Sequence, residues 1–124
     1  MQRLALFLLV LASLPVAQLA AHHSFSAVYF EDQEASIQGE VVQFVYRNPH
    51  SFVHLLAPDA ASGEIVRWSV EWQASGQLGQ RGVTPGTLRP GDRVVITGSP
   101  GRNPADHSLR LRTIVRPKDG WRWQ

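Results

Sequence analysis

The strongest constraint on the fold is a set of five short segments in which apolar and polar residues alternate, the period of a half-buried β-strand. Ile37, Gly39 and Val41 alternate with Gln38 and Glu40. The phase slips where Val41 and Val42 stand together, and the apolar set resumes at Phe44 and Tyr46. A slip inside a long strand predicts a bulge, which bends the strand and helps a sheet curl. Arg47-Asn48-Pro49 ends this first strand, because proline cannot donate to a ladder and asparagine favours turns. Ser51 to Ala57 forms the second strand, and Pro58 to Gly63 a hairpin loop. Ile65 to Trp72 forms the third, with Trp68, Val70 and Trp72 on one face and Arg67, Ser69 and Glu71 on the other.

One helical stretch follows. Ser75 is its expected N-cap, Leu78 its apolar contact and Gly82 its C′ residue. Arg89-Pro90-Gly91-Asp92 is a turn into a fourth strand, Arg93 to Gly98. The fifth runs from Ser108 to Arg116, with Leu109, Leu111, Thr113 and Val115 facing one way and Arg110, Arg112, Ile114 and Arg116 the other. Asp119-Gly120 marks a last turn before Trp121 and Trp123. Three strands, a short helix and two more strands predict an all-β, five-stranded OB-like Greek-key barrel with its helix between strands 3 and 4. An open sandwich is the alternative architecture.

Ahead of the strands lies a hydrophobic leader. Arg3 supplies a positive start, Leu4 to Leu14 an apolar run, and Val16 to Ala21 a small-residue stretch after Pro15. This is the layout of a Sec-type bacterial signal peptide over residues 1–21, and the run is too short to span a bilayer. The expectation is therefore a periplasmic or secreted protein that does not span the membrane after cleavage. Residues 22–124 would then be one domain of about 100 residues, opening with an arm over residues 22–34. Phe25, Val28, Tyr29 and Phe30 are placed to pin the arm, and Glu31, Asp32 and Glu34 make it acidic. No cysteine is present, so neither a disulfide framework nor lipid attachment through cysteine is available. The formal charge is only +2, and Arg3 leaves with the leader. That balance and the expected export argue against a nucleic-acid partner.

Several short motifs together resemble a family of small exported bacterial proteins described only as a domain of unknown function. They are the start His22-His23-Ser24-Phe25, Ile37-x-Gly39-x-Val41, Asn48-Pro49-His50, Trp68 with Glu71, Arg81-Gly82, Leu88-x-Pro90-Gly91-Asp92, and Gly98. The resemblance covers nearly all of the mature chain and implies export and a small β-barrel, with no assigned activity. Trp72 stands where the resemblance implies a smaller residue.

The residues with most chemistry are histidines. Cleavage after Ala21 makes His22 the first residue, whose α-amine and imidazole chelate one metal with His23 beside them. Cleavage after Ala20 leaves Ala21-His22-His23, in which the amine, two backbone amides and the third residue's imidazole form a square nitrogen plane. Cu(II) prefers such tetragonal nitrogen geometry. The plain alternative is a His-rich linker. His50 follows the Asn48-Pro49 turn, and His50, Phe52, His54 and Leu56 share one side of strand 2. Val53, Leu55 and Ala57 line the other side, and both sets contain apolar residues, so the core-facing side stays open at this point. With 53, 55 and 57 inward, His50 and His54 lie beside Arg67, Ser69 and Glu71, and a carboxylate there can orient a ligating imidazole. The candidate metal set is His22, His23, His50 and His54, and the possible cofactor Cu(II). A site uniting His22, His23 and His50 requires the arm to fold back over the turn. The rival reading is a metal-free module that holds a protein or an anionic ligand on the strand 2–3 face through Phe52, Arg67 and Glu71. Arg110, Arg112 and Arg116 form a basic stripe on strand 5, which reads as a charged, solvated strand edge that guards against aggregation, with an anionic-ligand site as the alternative. No nucleophile motif, phosphate loop or HExxH is present, and no enzyme activity is expected.

Overall fold

The computed structural model describes residues 25–124. The leader, His22 and His23 lie outside the described residues. Six strands form: β1 (Ala35–Val45), β2 (Phe52–Pro58), β3 (Ile65–Glu71), β4 (Arg93–Pro100), β5 (Ser108–Arg116) and β6 (Trp121–Trp123). A short helix α1 (Ser75–Gln80) separates β3 from β4, and a 3-10 turn (Pro104–Asp106) precedes β5. The sheet runs β3-β2-β1-β4-β5-β6, and a parallel β3–β5 pairing closes the first five strands into a barrel. All other pairings are antiparallel. This is the OB topology, with the helix where that fold carries it.

The bulge in β1 lies where the phase slips. Val41 pairs with Leu55 and Gln43 with His54, so Val42 is the extra residue. Val41 stays in the core, and beyond the bulge Phe44 and Tyr46 pack against it. Strand β2 turns Val53, Leu55 and Ala57 inward, each fully buried. That settles its faces: Phe52, His54 and Leu56 are outside. Trp68, Val70 and Trp72 are also inward, as their alternation predicts. Helix α1 carries one buried residue, Leu78, which joins Val83 and Leu88 in the core.

Three expectations need correction. Ser75 is not the N-cap; Ala74 holds that position and offers no side-chain bond. Asn48 takes over the task from 28 residues away, its Oδ1 accepting from the Gly76 N–H at 3.3 Å and from the Ser75 hydroxyl at 3.0 Å. First-turn N–H groups have no partner within their helix, so a distant acceptor serves as well as a local one. The Asn48–Pro49 peptide is cis. The phase of β5 also differs. Thr97 pairs with Thr113 but Gly98 with Leu111, so Arg112 is an extra residue. Leu109 and Leu111 point inward before it and Ile114 after it, all buried, while Thr113 and Val115 are only half-buried. Finally, Trp121–Trp123 form a sixth strand against β5. Trp123 sets its ring edge-on to Trp72, with centroids 5.1 Å apart.

Candidate functional site

The described arm is stitched down by the arginines of the sequence's basic stripe. Residues 25–28 form a helical turn, and Tyr29 bridges to Gly101. Arg110 places its guanidinium 3.7 Å from the Phe25 ring centroid and pairs with Glu31 at 2.9 Å. Arg112 reaches the Glu31 carbonyl at 2.5 Å and the Glu34 carboxylate at 3.4 Å. Arg116 pairs instead with Asp92 and Asp119, at 3.0 and 2.9 Å. The acids of the arm and of two turns therefore neutralise the stripe, and it is no open anion site.

This stitching brings three distant residues together. Tyr29 is buried in the arm and donates its hydroxyl to Glu71 Oε2 at 2.6 Å. Glu71 ends β3, and its Oε1 lies 2.7 Å from His50 Nδ1. His50 sits between the Asn-Pro turn and β2, and the Phe25 ring stands edge-on to its imidazole at 5.6 Å. One carboxylate thus bridges a phenol and an imidazole. Burial, followed by the bond to Glu71, pushes the Tyr29 hydroxyl far above its ordinary range, so it acts as a donor at all physiological pH. A proton on Nδ1 facing Glu71 makes Nε2 the lone-pair nitrogen, the one a metal or an acid would use.

The remaining strand 2–3 residues take other partners. Phe52 and His54 lie nearly parallel, with ring centroids 6.2 Å apart. Arg47 sits over the Phe52 ring at 5.4 Å, and Arg67 donates to the neutral Gln43 at 3.1 Å. Burial, then the charges of Arg67 and Arg47, lower the His54 pKa. Across the strands His54 faces Ser69, whereas Glu71 faces Phe52. Glu71 therefore serves His50 and not His54.

The fifth histidine of the chain, His107, lies outside the paired histidines of the sequence. His107 has a left-handed backbone (φ 44°), and its Nε2 lies 3.2 Å from Asp59 Oδ1. Backbone and hydroxyl donors of Ser62, with further help from Ala61 and His107, hold the Asp59 carboxyl below its ordinary pKa. Nothing in the local pattern singles out two residues that meet across 48 positions. Among the described residues no group of three or more His, Cys, Asp or Glu side chains is arranged to hold a metal. No helix among them is long and apolar enough to cross a membrane.

Comparison with known proteins adds little chemistry. No curated protein matches the chain. A solved mitochondrial single-stranded DNA binding protein from S. cerevisiae is similar over 66% of this chain and 90% of its own, at 14% identity and a TM-score of 0.46. A family model described as a family of unknown function matches residues 9–110, a span that takes in β1 to β4, the helix and the Tyr29, His50 and Glu71 cluster, and the chain therefore belongs to that family, DUF6152.

Proposed function

We propose that this chain is an exported β-barrel binding protein that holds Cu(II), through a nitrogen site formed by its mature N-terminus and completed by His50. The observation that carries the reading is the 2.7 Å contact between Glu71 and His50 Nδ1. It leaves Nε2 for a metal, and a carboxylate behind a ligating imidazole is the usual second partner in metal sites. The Phe25–His50 ring contact adds reach. His22 is three positions from Phe25, and three extended residue steps cover roughly 10 Å. The two cleavage sites make different demands. A start at His22 would offer its amine and imidazole as ligands, with His50 as a further nitrogen. A start at Ala21 would offer the amine, two backbone amides and the His23 imidazole, with no need of His50.

The test is the intact native mass of the exported, processed protein with added Cu(II). It is run on the wild type, on His50→Ala and on a chain whose mature start is extended by one glycine. The expected result is a start at His22 and one retained copper that both changes weaken. Loss on extension alone would confine the site to the N-terminus. No retained copper in the wild type would sink the metal reading.

A second reading has its own observation. Arg47 and Arg67 lie beside Phe52 and His54 on the outer face of β2 and β3, and their hydrogen bonds go to the His50 carbonyl and to Gln43, both neutral acceptors. Such a face suits a protein or an anionic ligand without any metal. Arg67→Glu would abolish that binding and leave copper retention untouched.

A further inference from the structure

We infer that the outer face of β1, β2 and β3 around Leu56 is a homodimer interface, closed by a two-fold axis along β2 that sets Glu40 against the partner's Arg67. The inference goes beyond both readings above and depends on neither. Three strands lie in register here. Glu40 pairs with Leu56 and Leu56 with Arg67, so one row across the sheet reads acid, leucine, base. All three side chains are exposed. The next row sets Pro58 opposite Ile65. Leu56 is 41% exposed and Ile65 64%, and among the described residues the one other large apolar side chain so open is Val28, on the arm. Glu40, Leu56, Pro58 and Ile65, with Arg93, line an open depression, so this part of the barrel exterior can receive a side chain. Ile65 also sits where β3 has a strand on one side only, because its pairing with β5 takes just Ser69 to Glu71. Apolar surface inside a charged rim, beside an open strand edge, marks an interaction site.

The charges say what covers it. Neighbouring strands lie about 4.8 Å apart, so the backbones of Glu40 and Arg67 are held about 10 Å apart with Leu56 between them. Each charge has only a weak hold within its own chain. Glu40 meets Arg93 at 3.9 Å, with both side chains at least half exposed, and Arg67 donates to the neutral Gln43 at 3.1 Å. Exposed contacts of that kind contribute little, so releasing them costs little. A two-fold axis parallel to β2 through Leu56 exchanges the β1 side of the row with the β3 side. Leu56 then meets the partner's Leu56, and each acid meets a base of the other copy. An isologous contact requires such a self-complementary patch, and this row supplies it from one symmetry operation. An acidic partner would meet Glu40, and a wholly apolar one would bury both charges unpaired.

The experiment follows the processed full chain by sedimentation velocity, from low-micromolar to near-millimolar protein. The wild type should pass from monomer to dimer over that range and form nothing larger, because a two-fold contact closes on itself. Glu40→Arg and Arg67→Glu should each weaken association about 10-fold or more, since each sets like charges together twice. An equimolar mixture of these two variants should regain wild-type affinity as a heterodimer, one copy carrying both bases and the other both acids. Leu56→Lys should abolish association. All three positions are exposed, so thermal midpoints at monomer concentrations should stay near the wild type, and they report any loss of folding separately. A wild type that stays monomeric throughout would overturn the inference. A dimer that all three variants retain would overturn it as well, by placing the contact on another face. A mixture that stays monomeric, while the wild type dimerises, would overturn the pairing of Glu40 with Arg67 across the axis.

Discussion

Gly98 shows how one missing side chain can decide a barrel. A Cβ at this position would run into the Arg110 carbonyl and the Leu111 backbone, because the β4–β5 bulge pulls the two strands together there. Gly98→Ala should cost about 3 kcal/mol, the scale of overpacking a rigid site, and urea midpoints will read it. His54 makes a prediction of a different kind. Its pKa in the fold lies below the 6.5 of a free side chain, chiefly through burial. As pH falls below 6.5, the unfolded chain takes up a proton that the folded chain resists, so this residue withdraws stability down to its folded pKa. His54→Gln should therefore lose less stability than the wild type between pH 7.5 and pH 5.5. An equal loss in both proteins would place the pH sensitivity elsewhere.

At the scale of elements, helix α1 matters for what it inserts. Six residues with two glycines cannot sustain a helix alone. It persists because Leu78 is fully buried, Asn48 receives its first-turn donors, and the Tyr46 hydroxyl reaches the Ser75 and Val83 carbonyls at 2.9 and 3.0 Å. Leu78→Ala should destabilise the protein by about 3 kcal/mol, measured by denaturant unfolding. The arm is the second such element. Its hold is two cation–π contacts, of Arg110 with Phe25 and Arg102 with Phe30, two ion pairs and one buried tyrosine. Arg110→Ala should raise hydrogen exchange over residues 25–31 and leave the barrel strands protected. Uniform loss of protection would show that arm and barrel open as one unit.

For the whole molecule, a barrel without cysteine depends on closure and core packing. Closure is the β3–β5 pairing at Ser108 to Arg110, and β6 covers the last three residues of β5. Trp123 is the main contact of that cover, packing on Trp72 and lying under Arg81 at 4.2 Å. Trp123→Ala should cost about 2 kcal/mol and lower the midpoint of a single cooperative transition by roughly 10 °C. Two resolved transitions would mean that β6 folds apart from the barrel.

Strand positions, the bulge in β1 and the place of the helix were legible in the chain itself. They follow from the two-residue repeat of a pleated backbone and from turn residues, which are local properties. The inward side of β2 was not legible, because Val53, Leu55 and Ala57 on one side and Phe52 and Leu56 on the other are all apolar. Nor was the reversal in β5, since a bulge at Arg112 exists only relative to the register of β4. The basic stripe read as a solvated strand edge, and its ion pairs were invisible because Glu31 and Glu34 stand about 80 residues earlier in the chain. The sequence by itself determined which residues are extended, and its motifs named His50 and Glu71 separately. Only the tertiary structure joined them: closing the barrel and folding back the arm bring positions 29, 50 and 71 within hydrogen-bond range, and no periodicity along the chain encodes a meeting across those separations.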